Sequence, residues 1–242
     1  MNLLLIPADA IETLATGDLR VHIHDPRRLR HLQEVHRARV GQDYRLGVID
    51  GQIGTGTLLS LEKQSAEFSL RLDNDPPAPL NLHVLLALPR PRMLARSLEN
   101  MATLGVKRIT LLNTARVEKS FWQSPELKPE KIRHHFELGL EQARDTRMPS
   151  LDCAERFKPF VEDALPALLA GRQGLVADPE AQAQCPRGLP VDTPVTLAIG
   201  PEGGFIDYEV EQLRNAGMQG IQLGQRILRV ETAIVALLSR LY

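Results

Sequence analysis

Apolar and polar residues repeat with two different periods along this chain, and the change between them falls at one place. Up to about residue 75 the apolar positions come in short alternating runs. Tyr44-Arg45-Leu46-Gly47-Val48-Ile49 and Gln52-Ile53-Gly54-Thr55-Gly56-Thr57-Leu58 flank Asp50-Gly51. Asp-Gly suits the positive φ angles of a two-residue turn, so this pattern predicts a hairpin. Residues 67–72 alternate in the same way and predict another strand. Leu29, Leu32 and Val35 are spaced for one face of a short helix ahead of the hairpin. Short strands around one helix suggest a small barrel.

Beyond residue 80 continuous apolar runs alternate with helical spacing. Residues 83–88, 108–112, 174–177 and 195–199 read as buried strands. Leu94, Leu98 and Met101 mark one amphipathic helix, and Ile132, Phe136, Leu140 and Ala143 another. A helix over 208–216 would end at Gly217, a natural C-terminal cap. The last helix carries Ile234, Leu237, Leu238 and Leu241 on one face. This alternation predicts an α/β domain with a largely parallel sheet. Between the two regimes lies Asp73-Asn74-Asp75-Pro76-Pro77-Ala78-Pro79. Three prolines in four residues continue neither a helix nor a central strand. The expected division is therefore 1–75 and 80–242.

Composition narrows the classes. Of 242 residues, 43 % are apolar and 24 % charged, which excludes wholesale disorder. Lys and Arg number 29 against 30 Asp and Glu, so a uniformly basic nucleic-acid binder is excluded, though not a local basic face. No apolar run approaches the roughly 18 residues of a membrane span. Residues 1–7 are apolar for only four positions and lack the basic start of a signal peptide. Cys153 and Cys185 have no CxxC spacing, so neither a disulfide framework nor a cysteine zinc site is expected. A reducing cytoplasm, no membrane and no metal fit these features.

Charge is unevenly placed. Seven arginines lie between Arg20 and Arg45, against Asp25, Glu34 and Asp43, together with His22, His24, His31 and His36. Arg90, Arg92, Arg96, Lys107, Arg108, Arg116 and Lys119 form a second cluster. Such patches suit phosphates, and equally suit a solvated face. With only ten Phe, Trp and Tyr in the chain, recognition of RNA by shape and phosphate is expected over base stacking.

Two segments carry candidate chemistry. In Leu197-Ala198-Ile199-Gly200-Pro201-Glu202-Gly203-Gly204-Phe205 a buried strand runs into a glycine-rich loop, and a helix follows. Paired glycines let the backbone approach a ligand, and ligands in open α/β sheets collect at strand C-termini. The loop is neither GxGxxG nor GxxxxGK[ST], so no dinucleotide or P-loop site is indicated. Twenty residues on, Ile221-Gln222-Leu223-Gly224-Gln225-Arg226-Ile227-Leu228-Arg229-Val230-Glu231-Thr232-Ala233 reads as a short strand ending at Gly224, an irregular segment with two arginines, and the start of the last helix. Glu231 there would be favoured by the helix dipole.

These paired loops resemble the signature of the RsmE family, SPOUT-class methyltransferases acting on N3 of a uridine in 16S ribosomal RNA. His31-Leu32-Gln33-Glu34-Val35-His36-Arg37, Leu104-Gly105-Val106 and Glu141-Gln142-Ala143-Arg144-Asp145-Thr146-Arg147-Met148-Pro149 extend the resemblance over nearly the whole chain. It implies a small PUA-like β-barrel, RNA-binding, over 1–75, and a SPOUT-type α/β methyltransferase domain with a C-terminal trefoil knot over 80–242. Periodicity alone does not suggest a knot. It implies a homodimer, with ribosomal RNA or the small ribosomal subunit as partner. It also implies S-adenosylmethionine (SAM) held by Gly200, Pro201, Glu202, Gly203, Gly204, Leu223, Gly224, Ile227, Leu228 and Thr232, with backbone groups of Leu223, Gly224 and Leu228 reading the adenine. Arg28, Arg30, His31, Arg37 and Arg147 would face RNA.

A uracil N3 carries a proton at neutral pH, so a group that stabilises its anion is needed. Arg226 or Arg229 is expected to do this, with Glu231 or Glu202 as candidate bases. Departures from the family pattern fall at Asn100, Thr103, Val230 and Ile206, the last making Asp207 the expected cap of the 208–216 helix. They leave two other readings: a same-fold methyltransferase acting on a different RNA, and a non-catalytic RNA-binding or assembly factor.

Overall fold

The computed structural model describes residues 2–242. Contacts divide the chain into two compact units, Met1–Ala78 with Glu137–Met148, and Pro79–Phe136 with Pro149–Tyr242. The proline-rich segment lies at the junction. Residues 137–148, which the sequence division places in the second domain, group with the first unit.

The first unit holds strands β1 (Leu4–Ile6), β2 (Ile11–Thr13), β3 (Leu19–Ile23), β4 (Asp43–Val48), β5 (Ile53–Leu61) and β6 (Ala66–Asn74) in one sheet of order β1-β4-β5-β6-β3-β2. Only β1–β4 pair in parallel. Alternation puts Val21, Ile23, Leu46, Leu58 and Phe68 on one face, where Leu29 and Leu32 cover them. Leu29 comes from α1 (Pro26–Arg30), which is capped by the Asp25 carboxylate, and Leu32 from the π-helical turn His31–Val35 into which α1 runs on. The i→i+5 bond from the His36 amide to the His31 carbonyl adds a residue to that turn. Val35 is thereby carried off the apolar face and is 66 % exposed, contrary to its helical spacing.

The hairpin forms, but with a three-residue loop rather than two. Val48 pairs with Gln52, and of the loop only Asp50 has positive φ, at 58°. Its amide donates to the Thr146 carbonyl at 2.8 Å and its carboxylate accepts the Met148 amide at 2.7 Å. Anchoring by 146–148 thus selects the turn.

The same late segment neutralises two arginines. Arg27 binds the Glu141 carboxylate through both terminal nitrogens, at 2.7 and 2.8 Å. Arg28 reaches Glu141 at 3.2 Å and Glu137 at 3.0 Å. Arg28 is 8 % exposed and Glu141 2 %. Arg28 therefore belongs to a buried ion network, which corrects the expectation that it faces RNA.

In the second unit seven parallel strands run in the order β11-β13-β10-β12-β7-β8-β9. They are β7 (Leu82–Ala87), β8 (Arg108–Leu112), β9 (Ser150–Ala154), β10 (Gln173–Ala177), β11 (Ala183–Gln184), β12 (Val195–Ile199) and β13 (Gln219–Gln222). β7 and β12 are buried at every position, which is why they read as unbroken apolar runs. The main helices are α2 (Pro91–Thr103), the start of α3 (Pro129–Ala143, whose residues 137–143 belong to the first unit), α6 (Asp207–Asn215) and α7 (Val230–Leu241). A broken helical stretch lies between β9 and β10: α4 (Phe157–Pro159), a π-helical turn (Phe160–Ala164) and α5 (Leu165–Leu169). Strands β9 and β11 and this stretch escape sequence patterning. β9 is a largely exposed edge strand, and Pro159 and Pro166 interrupt the helical run.

α6 begins at Asp207, so Asp207 is its first residue and Ile206 occupies the cap position. The buried Glu209 carboxylate takes over the capping role from inside the helix. It accepts the Ile206 amide at 3.0 Å and the Ala115 amide at 2.7 Å.

On β7, His83 is buried with its Nε2 2.8 Å from the Thr110 hydroxyl. Burial, with Arg172 and Arg108 nearby, lowers its pKa to about 4. The unfolded chain takes up this proton below about pH 6.5 while the folded chain stays neutral, so stability is lost as pH falls from 6.5 to 4. Over that window the wild-type protein is expected to lose about 3 kcal/mol more than His83→Gln in urea unfolding; parallel curves would refute this. Glu141→Ala, which removes both bonds of Arg27 and one of the two carboxylates hydrogen-bonded by the Arg28 guanidinium, is expected to cost about 3 kcal/mol in the same measurement.

Candidate active site

Strand β12 leaves the sheet at Ile199 and the chain folds back on itself at once. A Cβ on Gly200 would lie 2.9 Å from the Phe205 amide nitrogen and 3.1 Å from the Gly204 backbone, so only glycine fits. The Gly204 amide donates to the Pro201 carbonyl at 2.8 Å, closing a tight turn with Gly204 at φ 73°. Pro201 is buried beneath it. The Glu202 carboxylate accepts the Arg90 amide at 3.0 Å, at the start of α2. Glu202 is therefore a tie between the loop and a helix N-terminus, where the dipole favours a carboxylate. The Arg116 guanidinium, from the segment after β8, donates to the Gly203 carbonyl.

The second irregular segment begins where β13 ends, at Gln222, and Gly224 has φ 134°. β10 lies between β12 and β13, so the two loops leave strands that are next-but-one rather than adjacent. They nevertheless wall a single cavity of about 600 Å³. Its floor is the C-terminal end of β10, where the Asp178 amide donates to the Ile221 carbonyl and the Asp178 carboxylate pairs with Arg214 at 3.0 Å.

Of the residues singled out in the sequence, Gly200, Pro201, Glu202, Gly203, Gly204, Leu223, Gly224, Ile227, Leu228 and Arg226 line this cavity. Arg229, Glu231 and Thr232 do not. Arg229 is the residue before α7, and the other two are in its first turn. One Glu231 carboxylate oxygen is buried without a partner. Arg30, His31, Arg37 and Arg147 belong to the first unit, with Arg30, Arg37 and Arg147 exposed. Sequence reading missed Arg116, Asp178, Glu180 and Arg214 as cavity residues. The position of Arg116 and Asp178 just beyond predicted strands was the available signal. Among the described residues no three His, Cys, Asp or Glu side chains come together as a metal site, and no helix is long and apolar enough to cross a membrane.

Residues 76–242, more than half of the chain, match the family described as RNA methyltransferase domain. The chain belongs to that family. It is 28 % identical over 209 residues to the ribosomal RNA small subunit methyltransferase E of Treponema pallidum, covering 85 % of this chain and 79 % of that one. A methyltransferase of Legionella pneumophila, solved in complex with the bound cofactor SAM, superposes with a TM-score of 0.76 at 25 % identity, covering 99 % and 96 % of the two chains. The ribosomal RNA small subunit methyltransferase E of Neisseria gonorrhoeae, solved bound to S-adenosyl methionine, shares the fold with a TM-score of 0.74 at 23 % identity, over 98 % and 95 %.

The glycines of the first loop differ in what opposes them. At Gly200 a Cβ meets backbone, whereas at Gly203 it meets the flexible Arg116 side chain at 2.9 Å. Gly200→Ala is expected to lower the thermal midpoint by several degrees and Gly203→Ala by clearly less. Equal midpoints for the two variants would contradict this geometry.

Proposed function

We propose that this chain is a SAM-dependent methyltransferase that methylates N3 of a uridine in 16S ribosomal RNA of the small subunit. The observation that carries the reading is the single cavity walled by both strand-end loops, in a chain of the RNA methyltransferase domain family.

The cavity suits SAM on three counts. Gly200 lets the loop fold back tightly, and Gly203 and Gly204 give the cavity wall a stretch of bare backbone. The backbone of Leu223, Gly224 and Leu228 offers hydrogen-bonding groups along the opposite wall, where an adenine edge can be read. Asp178, Glu180, Glu202, Asp207 and Glu211 on the lining outnumber Arg116, Arg214 and Arg226, so the mixed wall carries excess negative charge for a sulfonium and an ammonium. We place the cofactor against 200–204 and 223–228. Thr232, off the lining, would act by holding the start of α7.

When bound, SAM supplies an activated methyl group. The remaining task falls to the chain's own residues. They must hold the uracil N3 in line, exclude water, and stabilise the anion left when N3 loses its proton. Arg226, on the cavity lining, would supply that stabilisation. Arg229 and Glu231, at the start of α7, would orient the segment that carries Arg226. The Glu202 carboxylate, held by the Arg90 amide, serves the loop's shape rather than proton removal.

We further propose a C-terminal trefoil knot in the second unit, a PUA-like RNA-binding barrel in the first, and a homodimer acting in the cytoplasm. Ile227, at 83 % exposure, Leu228 and Val235 are exposed apolar side chains that a second copy would cover. RNA contacts would come from Arg30, His31, Arg37 and Arg147.

Labelled SAM and small subunits lacking the modification test the assignment. The wild-type protein is expected to transfer label to one uridine, located by mass mapping. Arg226→Ala is expected to lower kcat roughly a hundredfold while SAM binding by calorimetry changes only a few-fold. Absence of label on any uridine with the wild-type protein would overturn the reading.

A further inference from the structure

A run of rings climbs out of the core of the first unit. Phe68 is fully buried under the sheet. Tyr44 meets it edge-on, with centroids 5.8 Å apart and planes at 85°. His36 meets Tyr44 at 6.0 Å and 84°, and His31 meets His36 at 4.7 Å and 73°. All three spacings lie in the range of favourable aromatic pairs. The π-helical turn makes the last step, since its His36–His31 backbone bond brings positions five apart together. Tyr44 is held at its far end by a 2.9 Å hydrogen bond to Gln42. His36, between Tyr44 and His31, is the exposed ring of the four, yet its neighbours already set its orientation. Such a ring loses little freedom when something stacks on it.

Its surroundings are basic and apolar. Arg37 follows directly, in the left-handed region at φ 49°, and Arg30 and Arg39 are exposed nearby in sequence. Val35 and Val40, the latter 64 % exposed, lie on the same stretch. A cavity of about 350 Å³ opens beside the turn, lined by Pro26, Arg27, Arg30, His31, Glu34 and Val35. Arg27 is neutralised by Glu141, so Arg30 is its available cation. Burial, with His36 alongside, holds the His31 imidazole below its usual pKa.

We propose that the His36 ring, backed by His31 and Tyr44, is a stacking site for one unpaired nucleobase of the RNA, with Arg30 and Arg37 engaging the flanking phosphates. The proposal rests on the RNA-substrate reading above and narrows it to RNA with an unstacked nucleotide. Every base has a π-face, so such a site tolerates sequence, while exposed arginines on the same stretch of chain favour a polyanion over a neutral aromatic ligand. The scarcity of Phe, Trp and Tyr pointed away from stacking; histidines placed in a ladder supply the rings instead.

A short single-stranded oligoribonucleotide carrying 2-aminopurine tests this. Wild-type protein is expected to quench the probe on binding. His36→Ala is expected to abolish the quench and to weaken binding roughly tenfold with an unchanged salt slope, while His36→Phe restores both. Arg37→Ala is expected to keep the quench and to reduce the salt slope by about one. Quench and affinity retained in His36→Ala, with thermal midpoints alike, would overturn the stacking site. Its failure is distinct from that of the methyltransferase reading: label transfer to subunits without quenching sinks only the stacking site, and quenching without label transfer sinks only the enzyme.

Discussion

A single steric exclusion at the end of β12 shapes the second unit's chemistry. β12 is buried on both faces between β7 and β10, so its direction is set by the sheet and cannot adjust. The chain must therefore turn within the five residues that follow, and it does so by bringing the Phe205 amide to within 2.9 Å of where a Gly200 Cβ would be. Every other feature of the cavity follows from that fold-back. It presents the Gly203 carbonyl to Arg116, carries Glu202 to the start of α2, and leaves the space between this loop and the 223–228 segment open.

Charge is handled differently in the two units. In the first, Glu137 and Glu141 absorb Arg27 and Arg28, two of the arginines that make this stretch look uniformly basic. A buried guanidinium is tolerated only with its hydrogen bonds met, and Glu137 and Glu141 together supply the acceptors for Arg28. Arg30 and Arg37 remain exposed. In the second unit, cationic and anionic groups share the cavity wall, where Asp178 pairs with Arg214 while Arg226 sits on the exposed segment. A net charge near zero thus conceals a basic face on one unit and a mixed cavity in the other.

Periodicity was a reliable guide where an element buries a continuous stripe. β7, β8, β10, β12 and the faces of α2 and α7 stand where their apolar spacing puts them. It failed where hydrogen bonding departs from the i→i+4 pattern or where an element lies at an edge. Val35 was lost to a π-helical turn, β9 to edge exposure, and the 157–169 helix to prolines. The cap of α6 was misassigned to Asp207 because a carboxylate inside the helix, Glu209, reaches back to the Ile206 amide.

Both halves of the cavity were legible as motifs, since a glycine-rich turn after an apolar strand leaves a local mark in the residues themselves. By itself the sequence determined the α/β alternation, the proline-rich segment, and the two loops that wall the cavity, because each depends on neighbours a few positions away. Only the tertiary structure decided which residues share a surface. It set Arg116 and Asp178 into the cavity, removed Arg28 from solvent by way of a glutamate 113 positions distant, and raised a ladder of rings from Phe68 to His36. Such pairings are set by strand order and by the packing of distant segments, and no local pattern records them.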